Sequence, residues 1–429
     1  MLHLPSTPVN ISTSWSHANY SPSSPRVISS KSSLTASKGA PDTASAPTAV
    51  RREPNLTFKP PSLTLSIRPS RLSSQLFVYQ LSGMVSFPEE PLNLSAADGF
   101  GYLAADINQT LNGGEFAIVR KLGWGPRSST WLVQVKGEDS TEELDFPNCY
   151  DSFWEKSIHG EHLCFVMNPH GLPFSCVVQA AANSGRAGLP VHVVQYTTSV
   201  ILEALGKSHK KKLENIMFEP LTDEDELLEH IASTPPATTQ IIDGLPAAQS
   251  QPLAIDKAEW DEPMSKVCDW SLLLAGFGHV QVPPYAPERE LNYSSAPETL
   301  LENPACELAT DVWMLGCLVF QLLTGQQLFT ATGTGAERLG EIRDVLKASI
   351  PEAWLGDGHV QGLPDASTST QSLEQRLREV LSEDEASVAS AFLRKCLVID
   401  PAGRTSAVDL EVHDEWVGEG SKCSCCYRD

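Results

Sequence analysis

The chain has 429 residues, of which 41% are hydrophobic and 20% charged, so enough apolar content is present for a sizeable core. No apolar run reaches the roughly 18 residues of a membrane-spanning helix, and we therefore expect a soluble protein with no transmembrane segment. The formal charge of −22 is uneven, with +4 in residues 1–90 and −26 in the remainder.

The net negative charge of the residues after 90 predicts which kinds of partner the chain attracts. Its field reaches over a Debye length of about 8 Å at physiological salt, repels nucleic acid and attracts basic proteins. The alternative is that the charge serves solubility alone. Ten cysteines are scattered without zinc-finger spacing, and the chain does not open on an apolar signal peptide, which together favour a reducing compartment.

Residues 1–83 are rich in Ser, Pro, Thr and Ala. This composition predicts disorder, because too little apolar surface is available to offset the entropy lost on ordering. Two other interpretations stay open. The Ser-rich, acid-poor composition also fits an organellar transit peptide, although its prolines disfavour an amphipathic helix. Translation from Met84 would remove the stretch altogether.

From about residue 97 the hydrophobic periodicity predicts strands first and helices later, which indicates an α+β fold of two lobes. Residues 219–265 are acidic and rich in Pro, Ala and Gln, and they predict an exposed insertion. The predicted strands cover residues 116–122, 129–136, 162–167 and 271–274, and the predicted helices cover 191–205, 310–323 and 386–397.

Six short motifs follow one another along this pattern. The first places glycines at a turn between two strands, where backbone N–H groups can approach a phosphate. Each motif alone is weak evidence, since most such glycine pairs are ordinary turns. In chain order the motifs are Leu122-Gly123-Trp124-Gly125, Lys212-Leu213-Glu214-Asn215, Ala275-Gly276-Phe277-Gly278, Ala296-Pro297-Glu298, Asp311-Val312-Trp313, and Arg404 after Asp400-Pro401.

The order and spacing of these motifs resemble the eukaryotic protein kinase family over about residues 97–417. The phrase from Arg120 to Gly125 and the run from Gly160 to Val166 resemble the SR-protein kinase branch of the CMGC group in particular. The resemblance implies a bilobal protein-kinase-like fold, with a truncated β-rich small lobe at about 97–168 and a mainly helical large lobe at about 169–417.

The same resemblance implies roles for the matching positions. Lys212 would neutralise the transferred phosphate, and Asn215 would hold magnesium. Glu298 and Arg404 would form a buried ion pair, and Asp311 would accept hydrogen bonds from the catalytic-loop backbone. The implied nucleotide-contacting residues are Leu122, Gly123, Gly125, Phe165, Met167 and Asn168.

Several parts that phosphoryl transfer requires in this family are absent. Gly276 stands where the metal-binding Asp would be, and Lys210 stands where the base-like Asp would be. Only about 25 residues separate Val135 from His162, too few for the third strand, its lysine, the regulatory helix and its glutamate. We do not expect Mg²⁺ to be held, since it requires oxygen ligands, whereas the remaining residues are compatible with weak ATP binding.

These departures predict a pseudokinase that acts by binding. We expect a monomer in the cytoplasm or nucleus, with a basic Arg/Ser-rich protein as partner and no direct nucleic-acid contact. One alternative is an active Ser/Thr kinase that transfers the γ-phosphate of ATP to protein, with the gaps arising from a mis-spliced or mis-predicted sequence. Another is a relic whose N-terminal region carries a targeting function.

The tail, residues 418–429, contains Cys423, Cys425 and Cys426. Clustered terminal cysteines are substrates for lipidation and ligands for zinc. An unstructured tail is the third interpretation, and the sequence leaves all three open.

Overall fold

The computed structural model describes most residues between Glu89 and Gly420, and it describes the backbone of the strand Pro8–Ser14. The described ranges are 8–14, 89–98, 100–125, 128–135, 149–167, 169–208, 216–219, 224–236, 238–242, 244–254, 258–274, 295–331 and 333–420. The sequence-predicted positions outside these ranges are Asn168, Lys210, Lys212, Asn215, Gly276, and Cys423, Cys425 and Cys426 of the tail.

Strands dominate the first half of the described chain and helices the second, so the predicted α+β class is confirmed. The strands are β1 (Pro8–Ser14), β2 (Thr110–Leu111), β3 (Phe116–Gly125), β4 (Ser128–Val135), β5 (Cys149–Ser157), β6 (Gly160–Met167), β7 (Ile216–Phe218), β8 (Thr239–Ile242), β9 (Leu245–Ala248) and β10 (Leu272–Leu274). The helices are α1 (Ser175–Asn183), α2 (Val191–Ser208), α3 (Glu224–Ser233), α4 (Met264–Val267), α5 (Leu308–Thr324), α6 (Gly335–Leu346), α7 (Gly358–Gln361), α8 (Leu373–Arg378), α9 (Glu383–Cys396), α10 (Ala407–His413) and α11 (Glu415–Gly420). Within these residues no helix combines the length and apolarity needed to cross a membrane.

Six strands form the main sheet, in the spatial order β2-β3-β4-β1-β6-β5. The β3–β4 and β5–β6 pairs are antiparallel, and β3, β4 and β6 lie where the sequence pattern predicts strands. The sequence pattern does not predict β5, because Asp151, Glu155 and Lys156 interrupt its apolar residues.

The strand β1 lies inside this sheet, antiparallel to both β4 and β6. The sequence predicted disorder over residues 1–83 and a small lobe without its third strand, and the structure differs on both points at Pro8–Ser14. An inner strand needs register partners on both sides rather than a long apolar run, and those partners lie far away in the sequence. The composition of β1 alone therefore did not indicate a strand.

One face of the main sheet carries a buried core. Its strand residues include Trp131 and Val133 of β4 and Val166 of β6, and the rings of Phe116 and Phe153 stack with centroids 5.4 Å apart.

The folded segment that leads into β2 starts earlier than the predicted boundary at residue 97. It opens at Glu89 and is partly buried.

The insertion packs against the same sheet, whereas the sequence predicted that residues 219–265 are exposed. The helix α3 places Leu227, 4% exposed, in a buried cluster with Leu122 of β3 and Leu132 of β4. Farther along, Gln251 N–H donates to the Lys121 carbonyl at 2.8 Å, so the chain after β9 runs along the edge of β3. The insertion is therefore part of the small-lobe core.

The large-lobe core is built around α5, an apolar helix that the sequence predicts nearly in full. A reciprocal capping box between Glu307 and Thr310 begins the helix, and Gly325 ends it with a positive φ of 70°. Glycine is required there because an added Cβ would lie 1.7 Å from the Ala187 carbonyl oxygen. The last helix, α11, extends the fold to Gly420, three residues past the predicted boundary.

We predict that Leu227→Asp destabilises the fold by about 2–5 kcal/mol, because it buries a carboxylate among leucines. Leu228, the next residue in α3, is 41% exposed, and Leu228→Asp is the matched control, with an expected change within about 0.5 kcal/mol. Urea unfolding of both variants measures the difference. Equal effects of the two substitutions would contradict the observed packing of α3.

Candidate functional site

The Gly-rich strand β3 is the first element of the candidate site. Its pairing with β4 shifts register twice, between Ile118 and Arg120 and between Lys121 and Gly123, and these irregularities twist the strand ahead of its turn. An added Cβ on Gly123 would meet no atom within 4 Å. Packing within the described chain therefore does not explain the glycine at this position.

Leu122 precedes these glycines, and the family resemblance assigns its side chain to a nucleotide. In the structure Leu122 is 5% exposed and is buried by the chain itself, in the cluster with Leu132, Leu227 and Leu253. Ile231 of α3 packs against the same cluster. This arrangement does not fit a bound nucleotide, because the leucine offers no free face to a purine base.

Polar contacts hold α3 in this place. The buried Arg120 guanidinium donates from Nη2 to the Ile231 carbonyl at 3.0 Å and to Thr234 Oγ1 at 2.7 Å. Both acceptors lie at the C-terminal end of α3, where the helix dipole favours a cation. Arg120 thus joins the Gly-rich strand to the end of the insertion helix.

Two of the implied nucleotide-contacting residues, Phe165 and Met167, lie on β6. Met167 is nearly buried and pairs in register with Cys149 of β5 and Asn10 of β1, and Phe165 is half-buried. The structure therefore puts Phe165 and Met167 on the strand next to β1. Their predicted neighbour Asn168 lies outside the described residues.

A buried charge cluster surrounds Lys121, a residue to which the sequence motifs assign no role. Its Nζ is 2.7 Å from Glu89 Oε2, 3.4 Å from Glu90 Oε2 and 3.2 Å from the Ala248 carbonyl oxygen. Burial raises the pKa of Glu90 to about 8, against the opposing effect of Lys121. The consistent charge state at neutral pH is a Lys121–Glu89 ion pair beside a neutral Glu90.

An ion pair between Glu298 and Arg404 anchors the large lobe. Arg404 Nη2 lies 2.6 Å from Glu298 Oε2 and Nη1 lies 2.7 Å from Oε1, a bidentate geometry in a buried setting. Arg404 also donates to the Val398 and Ala309 carbonyls, at 2.8 and 2.9 Å. Thr310 Oγ1 donates to Glu298 Oε1 at 2.9 Å. These bonds satisfy the buried charges that the motifs predict.

The same anchor extends to α5. The Arg404 guanidinium lies over the Trp313 ring, 5.1 Å from its centroid, and Trp313 stacks on Phe329. Asp311 lies half-buried in the first turn of α5, where the helix dipole stabilises a carboxylate. The loop whose backbone Asp311 is predicted to bind lies outside the described residues.

No cluster of three or more His, Cys, Asp or Glu side chains suited to a metal ion occurs among the residues that the structure describes. The predicted magnesium ligand Asn215 and the glycine at 276 both lie outside them.

Comparison with known proteins agrees with the motifs. Residues 261–417 match the protein kinase domain family. The chain is 26% identical over 375 residues to the serine/threonine-protein kinase SRPK of Physarum polycephalum, a match that covers 70% of this chain and 85% of that protein. The chain is therefore similar to protein kinases over residues 261–417, and to SRPK over 70% of its length. The recognition made from the motifs is therefore confirmed, and the α+β architecture is kinase-like.

Other relatives match over shorter lengths. Identity is 25% over 154 residues to mitogen-activated protein kinase HOG1 of Blumeria graminis, covering 35% of this chain and 40% of that protein. It is 31% over 163 residues to cyclin-dependent kinase-like 2 of Mus musculus, covering 36% of this chain and 27% of that protein. The matches thus cover less than half of the length of these two relatives. The similarity supports a Ser/Thr kinase family.

We predict that Arg404→Ala destabilises the kinase homologue by about 3–5 kcal/mol, because it leaves the Glu298 carboxylate buried without its partner. The matched control is Arg378→Ala, which removes the exposed ion pair between Arg378 and Glu383 and should change stability by less than about 1 kcal/mol. Denaturant unfolding monitored by tryptophan fluorescence measures both. A loss for Arg404→Ala no larger than the control would contradict the anchor role.

We also predict a pH dependence that comes from Glu90. Its folded-state pKa of about 8 lies above the unfolded value of 4.5, so the folded protein holds a proton that the unfolded chain releases. This contribution to stability is present at acid pH and is lost as pH rises through about 8, with a slope of up to ~1.4 kcal/mol per pH unit.

Glu90→Gln removes this titration and is the test. The free energy of unfolding of the variant, minus that of the unmodified chain, should increase between pH 5 and pH 8.5. The groups that interact with Glu90 include Lys121, Glu89, Ser129 and Tyr102, and all are unchanged in the variant. A difference that stays constant across this pH range would show that Glu90 is ionised throughout.

Proposed function

We propose that this kinase homologue is a pseudokinase, which acts by binding a basic, Arg/Ser-rich protein rather than by transferring phosphate. The observation that supports the proposal is the burial of Leu122, a residue that the family resemblance assigns to the nucleotide, in a cluster with Leu227 and Leu253. A face of Leu122 that the chain covers with its own side chains is not available to a substrate nucleotide.

The sequence supports the same proposal through the metal positions. Phosphoryl transfer depends on magnesium ions and positioned charges around the γ-phosphate. Gly276 supplies no ligand and Lys210 supplies no carboxylate where the family has Asp at both positions. The family uses ATP and Mg²⁺, and we propose that this chain holds no magnesium and binds ATP weakly if α3 is displaced.

The partner follows from charge. Residues 295–420 carry 21 acidic and 8 basic side chains, so the large lobe presents a strongly negative surface. A consecutive acidic run, Glu383 to Glu385, is exposed in the first turn of α9. Such a surface attracts arginine-rich segments, and similarity to SRPK points to Arg/Ser-rich sequences. On the basis of the family resemblance we also propose a cytoplasmic or nuclear site of action.

A second candidate is an active Ser/Thr protein kinase. The observation that favours it is the similarity to the Physarum polycephalum kinase over 70% of this chain, together with an intact Glu298–Arg404 anchor. This candidate requires that α3 leave Leu122 and that a metal site form from residues other than those of the family.

A phosphotransfer and binding experiment separates the two. The full chain and its Lys212→Ala variant are incubated with labelled ATP, Mg²⁺ or Mn²⁺, and an Arg/Ser-rich peptide. Binding of the same peptide is measured by fluorescence anisotropy at 50 and 500 mM salt. A Gly/Ser peptide of equal length is the control.

The proposal predicts no incorporation above background, and peptide binding that weakens at least tenfold at the higher salt. Incorporation that is lost in Lys212→Ala would establish the active kinase instead. Failure to bind the Arg/Ser-rich peptide at 50 mM salt would remove the proposed partner.

A further inference from the structure

The strand β1 is an inner strand that comes from a remote part of the chain. It pairs antiparallel with β4 over seven register positions, from Pro8 opposite Gln134 to Ser14 opposite Ser128. On its other side it pairs antiparallel with β6 over five positions, from Asn10 opposite Met167 to Ser14 opposite Leu163. The strands β4 and β6 are joined to each other only through β1.

Removing β1 would divide the main sheet into two parts, β2-β3-β4 and β6-β5. Both β4 and β6 would then present a row of unpaired N–H and C=O groups. Such edges are templates for an extended segment from elsewhere, and buried backbone groups without partners are costly. The gap between β4 and β6 is therefore an acceptor for a strand.

The register of β1 matches the burial pattern of its neighbours. Val9 lies opposite Val133, and Ile11 lies opposite both Trp131 and Val166, three residues with buried side chains. Residues directly opposite each other in an antiparallel pair lie on the same face of the sheet. The apolar members of the β1 sequence thus occupy register positions opposite buried residues of both neighbouring strands, and Asn10, Ser12 and Ser14 alternate with them in the sequence.

We propose that the gap between β4 and β6 is a strand-binding site for an extended segment of about seven residues with apolar residues at alternate positions, and that Pro8–Ser14 of the same chain occupies it. Main-chain hydrogen bonds to two neighbours supply the affinity, and the alternating apolar positions supply the register. A chain that lacks this segment exposes the site and binds a peptide of the same sequence from outside.

An engineered disulfide tests the occupant in the full chain. Thr13 lies opposite Cys164, which is buried and free, and opposite residues in antiparallel strands fall within the Cα separation of a disulfide. We expect Thr13→Cys to form an intrachain disulfide with Cys164 under mild oxidation at pH 8.5, as mapped by mass spectrometry. Burial raises the pKa of the Cys164 thiol to about 12, so little of it is thiolate at pH 8.5 and its reaction with any thiol is slow unless the two sulfurs are held together.

Two controls make the result specific. Ser12→Cys lies one residue away and opposite Phe165, and its disulfide with Cys164 should form at least tenfold less. Thr13→Cys combined with Cys164→Ser should form no such bond. Equal yields from Thr13→Cys and Ser12→Cys would overturn the register, and a Thr13→Cys cross-link that joins two chains would overturn the assignment of the occupant to the same chain.

The acceptor itself is tested with a variant that lacks residues 1–16. A labelled peptide of residues 6–16 should bind this variant at least tenfold more tightly than it binds the full chain, whose site is filled. The peptide with N-methylated backbone at Ile11 is the control and should not bind. Equal binding to the two proteins, or binding to neither, would overturn the proposal, and peptide added during refolding covers the case in which the variant does not fold alone.

Discussion

The packing of the insertion helix α3 on the Gly-rich strand β3 is the contact on which the functional account depends. Leucines from two distant parts of the chain, Leu122 and Leu227, are buried together, and Arg120 ties the end of α3 to the same strand. Apolar burial of this kind contributes about 1.5–3 kcal/mol per fully buried leucine. A nucleotide that used this face would have to displace the helix against that free energy.

The two lobes are held together by different kinds of contact. In the large lobe the bidentate Glu298–Arg404 pair, the Trp313–Phe329 stack and the capped helix α5 form one buried unit. In the small lobe a strand from the N-terminal region pairs within the main sheet, and a helix from the insertion packs against that sheet. Segments remote in the sequence therefore contribute to the stability of the small lobe.

The large lobe was predictable from the sequence because its features are local. The Ala-Pro-Glu and Asp-Val-Trp motifs and the apolar run of α5 each lie within a few residues, so Glu298, Asp311 and Arg404 could be named in advance. The small lobe was not, since its features join remote residues. Ile11 has partners more than a hundred residues away, and Leu227 belongs to a helix whose acidic neighbours are typical of a solvated surface. The charge cluster on Lys121 escaped prediction for the same reason, because Glu89 and Glu90 precede any predicted element.

The measurement that tests the account most directly is a calorimetric titration of the full chain with ATP, carried out with Mg²⁺ and again with EDTA. The Leu227→Asp variant, in which α3 should leave β3, serves as the comparison. The account predicts no binding to the unmodified chain at submillimolar ATP under either condition, and weak, magnesium-independent binding to the variant once the leucine face is uncovered. Magnesium-dependent binding of ATP to the unmodified chain with a Kd in the micromolar range would contradict it.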